Sequence, residues 1–107
     1  MDWKIVFHKS QPRPDAYEIV DYIFQVSRDS ESQTAVFVGI TAQERDWPTE
    51  KKLSQDDLIK AAHDWLRSRL EQRKCDPFNR AETDKVLLMP PGTLEHWQTD
   101  PSFQCLP

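Results

Sequence analysis

The sequence predicts an α+β domain: an antiparallel sheet of three to four strands, in the order β-β-β-α with a late short strand, packed on one amphipathic helix. Three observations predict it. Three early segments alternate apolar and polar residues with the period of a strand. A helical repeat of apolar residues follows from about Gln55 to Lys74. A short apolar run, Val86 to Met89, comes after that helix and is closed by Pro90.

The first strand is read from Trp3 to Lys9, with Trp3, Ile5 and Phe7 on its apolar face. Pro12 and Pro14 lack the N–H a ladder needs, so Gln11 to Asp15 reads as an extended connector or an edge. The second strand runs from Tyr17 to Ser27. Val20, Tyr22, Phe24 and Val26 form its better core face, and Asp21 interrupts the other, reading as a solvent-facing position. Thr34 to Thr41, rich in β-branched residues, form the third strand and a hairpin with the second. Gly39 within it suggests a bulge or close packing beneath an aromatic.

Gln43 to Lys52 is a polar linker containing Trp47. Ser54 is the expected N-cap of the helix, with Asp57 completing a capping box and Leu53 facing Leu58 as a hydrophobic staple. At about 100° per residue, Leu58, Ala61, Ala62, Trp65, Leu66 and Leu70 form one stripe, widened by Ile59. Arg69 falls in the middle of that stripe, where a charge is expensive unless it is paired or its head escapes to water. Asp76-Pro77 ends the helix, and Thr93 is placed to cap a single turn through Trp97. Residues 1–98 therefore read as one domain and 99–107 as a loose tail.

The chain of 107 residues has a formal net charge of −4. The charge is spread evenly, with nine acidic and seven basic residues on each side of residue 53. That balance disfavours generic attraction to nucleic acid or anionic membrane. The only local basic concentration, Arg67 to Arg80, is interleaved with Asp64, Glu71 and Asp76. The apolar run at the N-terminus is too short for a signal-peptide core, and no long apolar stretch follows, so the expected location is cytoplasmic. Cys75 and Cys105 then read as reduced thiols.

No motif for chemistry emerges. His8, His63 and His96 and the two cysteines have no metal-ligand spacing, so neither metal nor cofactor is expected. Two glycines cannot build a phosphate cradle. His63 and Asp64 are neighbours on a helix and diverge by about 100°, which argues against a relay between them.

The reading leans away from an enzyme and towards a non-enzymatic protein–protein interaction module: an accessory subunit, adaptor or inhibitor. It would bind a protein partner or a second copy of itself. Trp47, Trp97 and Arg69 are the candidate interface residues, because aromatics and arginine concentrate at binding hot spots. The alternative is a small enzyme or ligand-binding domain whose site gathers Asp21, His63 and Arg69 from distant positions. Nucleic-acid binding through Arg67 to Arg80 is a weaker third reading.

Overall fold

A computed structural model describes residues 3–28, 33–46, 53–72 and 85–99. Four strands form one sheet in the spatial order β1-β2-β3-β4: β1 is Trp3–Arg13, β2 Ala16–Arg28, β3 Thr34–Thr41 and β4 Val86–Leu88. Among the described residues three helices accompany them, α1 Ala42–Asp46, α2 Gln55–Glu71 and α3 Thr93–Thr99. The expected α+β class holds. The sheet is mixed rather than wholly antiparallel, because β4 pairs parallel to β3. The connection through α2 carries the chain back across the sheet and returns it in the same direction, as a crossover between parallel strands requires.

β1 extends beyond the expected Lys9 through Pro12 to Arg13 and closes on β2 by a turn at Pro14-Asp15. Pro12 is tolerated because β1 is an edge strand and has only one neighbour to satisfy. A register shift between Phe7 and Lys9 leaves His8 as a bulge. The bulge resets the alternation. Ile5 and Phe7 stand opposite Val26 and Phe24, whereas Lys9 stands opposite Ile23. Without the extra residue, Lys9 would share the face of Phe7; with it, Lys9 is turned to the other side.

The main core lies on one face of the sheet. Tyr22, Phe24 and Val26 of β2, Val36, Val38 and Ile40 of β3 and Leu87 of β4 meet the α2 stripe, in which Leu58, Ala61, Ala62, Trp65, Leu66 and Leu70 are all buried. The Ser54 capping box forms in both directions: the Asp57 N–H donates to Ser54 Oγ at 3.1 Å and the Ser54 N–H to the Asp57 carboxylate at 3.4 Å. Leu94 and Trp97 of α3 join the same core.

Two segments depart from expectation. The linker after β3 begins as helix α1, started by Thr41, whose hydroxyl accepts the Glu44 N–H at 3.2 Å. Thr93 does not cap α3; it is buried and its hydroxyl donates back to the Pro90 carbonyl at 2.7 Å. The cap is supplied from α1 instead. Glu44, itself buried, accepts the Gly92 N–H at 3.0 Å and the Leu94 N–H at 2.8 Å, two donors at the helix start. Gly92 has φ 85°, a left-handed conformation that suits glycine. The expected connector at 75–84 and most of the expected tail lie outside the described residues.

Tyr22 sits in the core with its hydroxyl donating to Gln55 Oε1 at 3.4 Å, and Gln55 in turn donates to Ser10 Oγ at 3.1 Å. Burial raises the Tyr22 hydroxyl above its ordinary value of 10.0, against the opposing pull of the Arg45 charge and the Gln55 hydrogen bond. The unfolded chain therefore loses this proton first. The stability contributed by neutral Tyr22 is intact below about pH 10 and is lost as pH rises through the higher folded value. Urea midpoints are expected to fall between about pH 9 and about pH 11, and Tyr22→Phe to flatten that fall. An equally steep fall in the variant would contradict the assignment.

Candidate functional site

The second face of the sheet is built from the alternate residues of the same strands. Its rows follow from the register: Val6, Gln25 and Ala35; Lys9, Ile23, Phe37 and Val86; Gln11, Asp21, Gly39 and Leu88. An antiparallel sheet with one solvated face ordinarily turns polar residues outward. Here the outward face is largely apolar. Val6, Val86 and Leu88 are 46%, 44% and 50% exposed, and Phe37 is half-buried. Among the described residues the helices gather on the opposite face: α2 and α3 through the core, α1 through Glu44.

An ion pair lies within this apolar face. Asp21 is 3% exposed, so it is not the solvent-facing residue its sequence position suggests. Arg13 grips it with two hydrogen bonds, Nη2 to Oδ1 at 2.6 Å and Nε to Oδ2 at 3.2 Å, and Nη2 also reaches the Leu87 carbonyl at 3.3 Å. The guanidinium thus joins β1 to β2 and β4. It crosses β3 at Gly39, where a Cβ would stand 2.6 Å from Arg13 Nη2, 2.9 Å from Ile19 Cγ2 and 3.2 Å from Asp21 Oδ1. Gly39 is therefore a site of close packing, but beneath a guanidinium rather than an aromatic, and its pairing is regular rather than bulged. The hydrogen bonds to Asp21 raise the Arg13 pKa; partial burial opposes them, and the Asp21 charge adds to them. Arg13 stays charged, and the pair is structural in character.

The sequence-derived trio Asp21, His63 and Arg69 is not assembled. Asp21 belongs to the outward face, whereas His63 and Arg69 are on α2, where the His63 ring lies 6.2 Å from that of Phe24. Arg69 does not meet a carboxylate such as Asp21; its guanidinium lies over the Trp65 ring at 5.4 Å. His63 and Asp64 do touch, contrary to expectation, with Nδ1 3.1 Å from Oδ1. The Asp64 carboxylate bridges, its other oxygen accepting the Trp97 indole N–H at 2.9 Å. Two side chains leaving a helix about 100° apart can still meet when one is a short carboxylate held between two donors. Among the described residues no hydroxyl or thiol bonds the ring, so the contact ties α2 to α3 rather than arming a nucleophile.

Trp97 is partly buried against the core and hydrogen-bonded, so it serves the fold; Trp47 lies outside the described residues, as do Cys75, Cys105 and residues 73–80 of the basic segment. Among the described residues no group of histidine, cysteine or carboxylate side chains is arranged to hold a metal ion. No described helix is long and apolar enough to cross a membrane. The residues of the outward face escaped the sequence reading. Their one signal was that both faces of β2 and β3 carry large apolar residues. The chain matches no known family, no curated protein and no solved structure.

Gly39→Ala forces Arg13 and Ile19 to move and is expected to cost about 1–3 kcal/mol in chemical denaturation. A change within about 0.5 kcal/mol, the range of ordinary surface substitutions, would mean that the guanidinium does not occupy that space.

Proposed function

We propose that this chain is a small non-enzymatic protein–protein interaction module, an accessory subunit, adaptor or inhibitor, acting in the cytoplasm. It engages a protein partner with the outward face of its sheet. The observation that supports this reading is the exposure of Val6, Val86 and Leu88 around half-buried Phe37, on a face that an isolated domain would make polar. The face is braced from within by the Arg13–Asp21 pair, which suits recognition with little rearrangement. A site gathering Asp21, His63 and Arg69 is not supported, since Asp21 is paired with Arg13 and separated by the sheet from His63 and Arg69.

Val86→Thr with Leu88→Thr keeps strand propensity and removes apolar surface. The double variant is expected to retain the wild-type urea midpoint within about 1 kcal/mol. It is expected to capture its specific partner from cell extract roughly tenfold less well in a quantitative pull-down. Undiminished capture by the folded double variant would remove this face from the function.

A further inference from the structure

Resting on that reading of the same face, we infer that its partner is an amphipathic helix of another protein, carrying acidic residues along the flank that lies over β1. Free charge on the face is confined to one margin: among the described residues its exposed apolar side chains are Val86 and Leu88 on β4 and Val6 on β1, beside half-buried Phe37, and Lys4 and Lys9 flank Val6 on β1. Both lysines are exposed, and among the described residues neither meets a carboxylate. Among those residues the one acid on this face, Asp21, is already held by Arg13 through both oxygens. Among the described residues the margin is therefore basic, with no acid to answer it.

That pattern selects among occupants. A second copy packed face to face would bring the same lysines and, among the described residues of this face, no free carboxylate, so charge gives it no complement. Among the described residues a nucleic acid would find two free lysines on this face, too few phosphate contacts for useful affinity. An apolar stripe with an acidic flank complements both parts.

The spacing fits a helix. Neighbouring strands lie about 4.8 Å apart, so β1 is about 10 Å from Phe37 in the plane of the sheet, close to the diameter of a helix with its side chains. Lys4 and Lys9 are separated along β1 by roughly 15 Å, about three helical turns. Carboxylates about eleven residues apart on one flank would meet both lysines. Residues at i, i+3, i+4 and i+7 would then cover Phe37, Val86 and Leu88.

The test uses two synthetic helical peptides of about 18 residues with the same leucine stripe. One carries glutamate, the other lysine, at two flank positions about eleven residues apart. Each is titrated into the isotope-labelled full chain and followed by amide NMR. The glutamate peptide is expected to shift the amides of residues 4–9, 37 and 86–88 and to bind at least about tenfold more tightly than the lysine peptide. Lys4→Glu with Lys9→Glu is expected to reverse that preference.

Equal binding of both peptides at these amides would overturn the acidic selectivity and leave the interaction reading standing. So would a failure of both peptides while Val86→Thr with Leu88→Thr still weakens partner capture. A salt-sensitive shift of the same amides by oligo-dT would overturn the helix in favour of nucleic acid. A dimer in sedimentation velocity that dissociates in Val86→Thr with Leu88→Thr would overturn it in favour of a second copy.

Discussion

The Arg13–Asp21 pair, lying over Gly39, is the contact on which the rest of the sheet depends. A carboxylate buried in an apolar face is tolerable only with a close, well-directed partner. Arg13 provides one with two near-parallel hydrogen bonds, and only an arginine fork matches a carboxylate in this way. To arrive there, β1 must continue past Lys9, through Pro12, to the end of the hairpin. To let the guanidinium lie flat, β3 must have no side chain at position 39. The third hydrogen bond, to the Leu87 carbonyl, then draws the short strand β4 into the same arrangement. Strand length, a glycine in a β-branched strand and the docking of a three-residue edge strand follow from one buried charge.

The two faces of the sheet are consequently held by different physics. The inner face is a hydrocarbon core closed by α2, and its polar contacts lie at the margins. There Glu44 satisfies the start of α3, and Asp64 links His63 to Trp97. These contacts fix how the helical layer sits. The outer face is also apolar, but its single buried polar feature is internal to the sheet and fully answered. Asp21, Ile23 and Gly39 are buried in this face, whereas Val6, Val86 and Leu88 are exposed at its two edges.

Much of this was legible in the sequence. Where local chemistry decides the outcome, expectation and structure agree: the Ser54 capping box, the α2 stripe and the pairing of β2 with β3 depend on residues within one element or one hairpin. The parts that were not legible depend on separation. Arg13 and Asp21 are eight residues apart, but their contact exists only because the hairpin closes at Pro14-Asp15. Glu44 caps a helix some fifty residues further along the chain. Neither pairing leaves a local pattern. Asp21 and Gly39 did each break a regular strand, and in the observed register they are direct neighbours. Two faults placed opposite one another signal a shared cause, which neither residue discloses alone. The outward face stayed hidden for another reason. Its exposed residues belong to β1 and β4, and the bulge at His8, invisible in the alternation, decides which way Lys9 points.

A double-mutant cycle on Arg13 and Asp21, read by equilibrium urea denaturation, tests this account most directly. If the pair is the buried tie that organises the sheet, Arg13→Met is expected to cost about 3–5 kcal/mol, because it strands a buried carboxylate. Asp21→Leu would likewise leave the guanidinium without its partner, and the double variant would then be far less destabilised than the sum of the singles. Additive single effects below about 1 kcal/mol, as for an exposed surface pair, would contradict it.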